Sequence, residues 1–273
     1  MPKLPLTQLR KVANLQRWLS KLGSQTVDFL SGAGEISLLF WKTLTVSFST
    51  PPRWRATVEQ SYKIGVASLP VVLLTTLFSG MVLALQSSYQ LRLLSAEQFT
   101  SDLVALSVTR EIGPVFTAIM VAGRVGASMA AELGTMKVTE QIDALESLAA
   151  DPIRYLIVPR FLACSAMLVL LTIYSDLVGM FGGYIVGVFK LGISSYKYFH
   201  RSVDILVFKD VYTGLIKAFI FGMVISVVSC YYGFKTSGGA EGVGQATTMA
   251  VVVSFILIVV FDTFFTAFFY LVF

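Results

Sequence analysis

Residues 64–85, IGVASLPVVLLTTLFSGMVLAL, form a run of 22 residues without one charged side chain. About 20 helical residues cross the hydrocarbon core of a bilayer, where no water satisfies a backbone group that the helix leaves open. This stretch is a transmembrane helix, and the rest of the chain has to fold around a bilayer. The composition agrees: 55% of the 273 residues are hydrophobic and 14% charged, with a mean hydropathy of +0.75. With the first span drawn over residues 64–86, further apolar runs at 103–130, 155–189, 211–234 and 246–273 bring the count to five. The expected fold class is all-α integral membrane.

Before residue 64 the chain is apolar only in short pieces. Residues 8–22 put Val12, Leu15, Trp18, Leu19 and Leu22 on one side and Arg10, Arg17 and Lys21 on the other, the pattern of a helix lying in an anionic interface. Residues 36–48 are apolar but too short to span, and Thr50-Pro51-Pro52 ends them, so a re-entrant or in-plane elbow is expected. The first long apolar run lacks a small-residue cleavage site and is expected to stay in the mature chain. Nine Lys and Arg residues up to Lys63 place the N-terminus on the cytoplasmic, or stromal, side. The five Lys and Arg residues in 190–217 then lie on the far side and fit that rule poorly. Since the net charge of +5 is spread over loops and the N-terminus, no face suits nucleic acid. Cys164 and Cys230 both fall in apolar spans, as small buried hydrophobes rather than a disulfide or metal pair.

Between the second and third spans lies the densest cluster of acids, residues 131–160. Val138, Ile142, Leu145 and Ala149 repeat at helical spacing, so an amphipathic helix is expected over 132–149, with Glu140, Asp143 and Glu146 on its remaining surface. Asp151-Pro152 ends that helix and caps the next. Such a helix is either a solvated or interfacial connector or a docking element. Its acids would be repelled by anionic lipid, which favours a protein surface.

The second span carries Arg110, Glu111, Pro114 and Arg124, costly or helix-weakening in lipid, so it must face protein or a wet cavity. Arg110 and Glu111 point about 100° apart and need separate partners, whereas Arg124, fourteen residues on from Arg110, returns to nearly the same face. These charges either pair across the bundle or line a path for a lipid headgroup. Asp176 and Asp262 are the corresponding acids of the third and fifth spans, and either would serve as a proton site. Gly179, Gly183 and Gly187 recur every four residues, which lets a second helix approach closely. A polar, aromatic loop at 190–210 and a turn, TSGGAEGVGQATT, separate the last three spans. The last span is crowded with Phe255, Phe261, Phe264, Phe265, Phe268 and Phe269, facing either a cavity or lipid.

Several chemistries are missing. His200 is the only histidine, so neither a histidine triad nor a histidine-rich metal site can be assembled in one chain. No Gly-Lys dipeptide occurs, so the phosphate loop of an ATPase is absent and any ATP must be bound by another chain. No cofactor is implied, and the chain is not expected to be an enzyme.

The run TREIGPVFTAIMVAGRVGASMAAELGTMKVTEQIDALESLAADPIRYLIVPRFLA, with GGAEGVGQATTMAVV, resembles the MlaE-type permeases of lipid ABC transporters, including cyanobacterial and plastid relatives. The resemblance covers residues 53–273 and leaves 1–52 as an interfacial or elbow segment. It implies a homodimer that moves phospholipid or a related lipid between membranes, in a bacterial inner membrane or plastid inner envelope. It implies a separate ABC ATPase subunit and a lipid-binding protein of the mammalian-cell-entry type as partners. The cytoplasmic coupling helix would dock on the ATPase, with Glu132, Lys137, Glu140, Asp143 and Glu146 as the coupling residues. Arg110 and Glu111 match the family's Arg-Glu pair before Gly-Pro, near the lipid cavity, and Arg124 and Asp262 join them as cavity or gating residues.

Two other functions suit the same residues. An ion-coupled secondary transporter would use Glu111, Asp176 or Asp262 as its proton site and would move lipid on a pH gradient without an ATPase, although such folds usually show two similar halves and no internal repeat is present here. A membrane scaffold would recruit a partner through the acidic helix and transport nothing.

Overall fold

In the computed structural model of this chain the backbone is described for residues 6–49, 51 and 53–272, and side chains for 23, 26, 27, 30–49, 51 and 53–271. Among the described residues, five helical stretches are long and apolar enough to cross a membrane: Trp54–Arg92, Glu97–Val138, Ile153–Phe189, Phe208–Phe234 and Gly239–Leu271. The chain is an all-α integral membrane protein. Each helix overruns the apolar run that announced it, because hydropathy marks only the part that sits in hydrocarbon and the i→i−4 ladder continues into polar flanks.

The first helix, α1 (Leu6–Ser49), joins the expected interfacial helix and elbow into one element and stops before Pro51. The amphipathic face expected over residues 8–22 lies outside the described side chains. Further on, α1 packs against the bundle: Leu39 and Val46 border the cluster of Leu133, Ile157 and Cys230, and Phe40 meets Phe161 edge-on. Glu35 accepts hydrogen bonds from Tyr231 (2.7 Å) and Lys235 (2.9 Å). These donors, Lys235 foremost, hold the Glu35 carboxyl below the usual carboxylate range. A lowered acid pKa contributes stability above the unfolded value and loses it as pH falls through the folded one. Protection from hydrogen exchange around residues 30–40 is therefore expected to begin to fall only below the ordinary Glu value of about 4.3. In Glu35→Gln the modest protection that an exposed pair adds should be missing already at neutral pH, and unchanged protection there would rule out this clasp.

Helix α2 (Trp54–Arg92) is the first span. The second is composite: α3 (Thr100–Ser107), a π turn (Val108–Ile112), α4 (Gly113–Val121), a second π turn (Ala122–Gly126) and α5 (Ala127–Val138). α6 (Gln141–Ser147) follows, then a π turn (Ile153–Ile157) leading into α7 (Val158–Phe189), with Pro159 in its first turn. The polar stretch 190–210, expected as a loop, holds a helix, α8 (Ser195–Asp204), with Tyr198 and Ser202 packed inward. The fourth span is α9 (Phe208–Phe234) and the fifth α10 (Gly239–Val272). Most of the expected glycine-rich turn is thus helix: only residues 235–238 connect α9 to α10, with Gly238 and Gly239 at positive φ. A Cβ at Gly242 would overlap the Ser237 carbonyl oxygen, so this glycine lets the chain fold back over the start of α10.

α7 lies at the centre of the bundle, against α2 on one side and α9 on the other. Leu168, Leu171, Phe221, Ile225 and Ile258 form the main core with Val121 and Ala122. Small residues set the spacing. Gly80 of α2 lies on the backbone of Gly179, and Gly182 lies on the carbonyl of Leu77. Gly183 and Gly187 do not serve the same helix pair: Gly183 makes room for Val104 of α3 and the Tyr198 hydroxyl, and Gly187 for the ring of Tyr198 from α8.

Candidate functional site

Two ends of the bundle can be told apart by their contacts. Glu35 with Lys235, and Gly134 with Thr236, gather α1, α5 and the α9–α10 turn at the N-terminal end. Asp102 with Arg201, and Arg110 with Asp210, hold α3, α8 and the start of α9 at the opposite end.

The intramembrane charges of the second span fall on its π turns, Arg110 and Glu111 on the first and Arg124 on the second. A π turn is a local insertion that re-aims side chains and is frequent at functional sites. Here the Gly113 N–H donates to the Val108 carbonyl, five residues back. Pro114 then has no N–H to offer the Arg110 carbonyl four residues before it. Lys217 of α9 donates to that carbonyl instead, at 3.3 Å.

Lys217 is the centre of the site. It is 2% exposed, and its Nζ donates to Glu111 Oε2 (2.7 Å), Asp262 Oδ1 (2.8 Å) and Thr266 Oγ1 (2.7 Å). Thr266 in turn donates to Glu111 Oε1 at 3.1 Å. One cation thus joins α9, α10 and the first π turn, and the two acids share its single charge. Arg110 turns the other way, its Nε donating to Asp210 Oδ1 at 2.8 Å. Asp210 Oδ2 accepts from the Val207 N–H at the start of α9, so the carboxylate both caps a helix and holds Arg110. Beside these groups lies a cavity of about 530 Å³ lined by Arg110, Glu111, Lys209, Asp210, Thr213, Lys217 and Thr266, with Phe269 and Tyr270 as its apolar wall. Phe261, Phe265 and Phe269 stack one turn apart along α10 toward it, whereas Phe264 and Phe268 are exposed. A wall that is charged on one side and aromatic on the other suits an amphiphile.

Arg110 and Glu111 do take separate partners. Arg124 does not share their cavity: it lines a second one, of about 430 Å³, with Lys63 and Glu132. Fourteen residues of helix separate the two arginines by about 21 Å along the axis, and the π turns take the register out of its 3.6-residue period. Asp262 lies in the Lys217 knot. Asp176 does not; it is buried against Gly113, with Oδ1 lacking a hydrogen-bond partner.

Sequence reasoning missed Lys217 and Asp210. Lys217 falls inside the fourth apolar run and not in the far-side loop, and a lone ionisable residue in such a run is the signal that finds it. Two of the five Lys and Arg residues in 190–217 are taken up by acids, Arg201 by Asp102 and Lys217 by Glu111 and Asp262.

The acidic segment is two helices and not the single one expected over 132–149. Glu140 stands at φ 59°, in the left-handed region, and parts α5 from α6. Lys137 bridges the bend to Asp143 at 2.7 Å. Of the apolar stripe only Ile142 is buried, and Val138 and Ala149 are exposed, because the bend breaks the helical register. Glu132 is exposed but pairs with the buried Arg160 (2.9 Å), while Glu140 and Glu146, also exposed, meet no cation within ion-pair distance among the described residues. The expected cap forms, with Asp151 Oδ1 accepting from the Ile153 N–H at 3.0 Å.

Residues 57–268 match the model of a protein family described as Permease MlaE. The chain is similar to a probable ABC transporter permease protein of Rickettsia prowazekii, 44% identical over 262 residues that cover 96% of this chain and 99% of that one. It is 36% identical over 251 residues to the intermembrane phospholipid transport system permease protein MlaE of Haemophilus influenzae, covering 92% of this chain and 96% of the relative. The Arabidopsis thaliana protein TRIGALACTOSYLDIACYLGLYCEROL 1, chloroplastic, is 42% identical over 217 residues, 80% of this chain and 62% of its own length.

Proposed function

Because the chain belongs to the MlaE permease family, we propose that it is the membrane subunit of an ABC transporter that carries phospholipid, or a related lipid, between membranes. The observation that carries this reading is full-length similarity to a permease named for intermembrane phospholipid transport. The lack of any nucleotide-binding loop supports an ATPase on a separate chain. The family resemblance adds a second copy of this chain and a lipid-binding protein of the mammalian-cell-entry type as partners.

In this reading the ATPase meets the exposed acids of α6 and its approach, Glu140, Asp143 and Glu146. α6 is tied to α5 by Lys137 and Asp143, and α5 runs without a loop into both π turns. A push on α6 would therefore pass through that bridge to α5, and from there along one continuous helical stretch to Glu111 and the Lys217 knot. Opening that knot would separate α9 and α10 from the second span and change the cavity beside them. The headgroup would face Arg110 and Lys209 and the acyl chains Phe269 and Tyr270.

Charge reversal tests the coupling. Glu140→Lys with Glu146→Lys leaves the Lys137–Asp143 bridge in place. The pair is expected to lower co-purification of the ATPase and ATP-driven lipid flux together, each by about tenfold or more, as the loss of several interfacial charge contacts implies. Normal flux in that double variant would refute the reading, as would flux on a pH gradient without any ATPase.

A further inference from the structure

Arg124 meets no acid among the described residues. Arg110, Arg160, Arg201, Lys217 and Lys235 each lie against an acid, but Arg124, on a π turn of the second span, has no acid partner among the described residues. A cation at that depth is costly unless a counter-charge or water meets it. The cavity it lines, between α2 and α5 at the N-terminal end, adds a second cation, Lys63, held only by an exposed 3.4 Å contact with Glu59. Its one acid, Glu132, is already paired with Arg160. The rest of the lining includes apolar Ile64, Val66, Val125 and Met129. Beyond Val66 the exposed face of α2 continues as Val71, Leu74, Phe78 and Val82, an uncharged stripe that runs away from the cations.

We propose that Arg124 and Lys63 bind the phosphate of a glycerophospholipid from the leaflet at the N-terminal end, with the acyl chains laid along the α2 stripe. A cavity of about 430 Å³ is near the small end of ligand sites, about 300–1,000 Å³, so it takes the headgroup and leaves the chains outside. This site is separate from the Lys217 cavity and makes a place where lipid waits before or after passage. The choice of ligand class rests on the transport reading above.

The test places the photoreactive residue benzoylphenylalanine at Tyr62, which lines the cavity and is exposed. Full-length chain is reconstituted into vesicles with radiolabelled phosphatidylglycerol, or with radiolabelled diacylglycerol of the same acyl chains. Illumination should attach phosphatidylglycerol and leave diacylglycerol largely free. Arg124→Gln should cut the adduct about tenfold, the worth of one charge-assisted contact, Lys63→Gln less, and Arg124→Lys should restore most of it. Equal labelling by both lipids, or in Arg124→Gln, overturns the site. So does capture of a second copy of the chain in place of lipid, or loss of the adduct to millimolar inorganic phosphate. Flux through the assembled transporter separates the two readings. An absent adduct with normal flux removes this site and keeps transport, whereas a normal adduct without ATP-driven flux keeps the site and removes transport.

Discussion

Lys217→Met is expected to lower stability by about 3 kcal/mol and to end ATP-driven lipid flux. Methionine keeps the length of the side chain but leaves Glu111 and Asp262 facing each other with no cation between them. Breaking a buried charge cluster by removing one partner costs about 3–5 kcal/mol, and the lower end applies because Glu111 is 40% exposed to the cavity. The triple variant with Glu111→Gln and Asp262→Asn should regain most of the thermal midpoint, since no charge is then stranded, yet should still not transport. Unfolding followed in detergent together with flux in vesicles separates these effects. An unshifted midpoint in Lys217→Met would mean that the knot is ornamental.

The second large effect concerns the contact between α2 and α7. A side chain at Gly80 would overlap the Gly179 carbonyl, and one at Gly182 the Leu77 carbonyl. Both obstacles are backbone, which cannot swing aside as a side chain can. Gly80→Val or Gly182→Val is therefore expected to cost about 3 kcal/mol or more, at or beyond the upper end of ordinary overpacking, and to broaden the size-exclusion peak. Gly34→Ala, with nothing within 4 Å of its new Cβ, should be neutral or slightly stabilising. Similar behaviour of the three variants would show that the helices have room to separate.

Much of this architecture could be read before any coordinates. An uncharged run of membrane length admits only a spanning helix, and Asp151-Pro152 allows little besides a cap, because both follow from local chemistry. The need of Arg110 and Glu111 for different partners follows equally, from the 100° between neighbours on a helix. The identity of those partners does not. Lys217 lies 106 residues from Glu111 and 45 from Asp262 in the chain, and no periodicity relates such positions.

Local pattern failed in two particular ways. The stripe Val138, Ile142, Leu145 and Ala149 assumed an unbroken helix, and a left-handed Glu140 interrupts it. The spacing of Arg110 and Arg124 assumed a uniform period, and two π turns alter it. Backbone hydrogen bonding and hydropathy act over one turn or one span, so residue order was enough to set the helical class, the number of crossings and the missing ATPase loop. Which charges meet, where the helix path bends and that Arg124 meets no acid among the described residues depend on how α7 draws α2 and α9 together. Those distances arise only when side chains far apart in the chain compete for the same few ångströms of space.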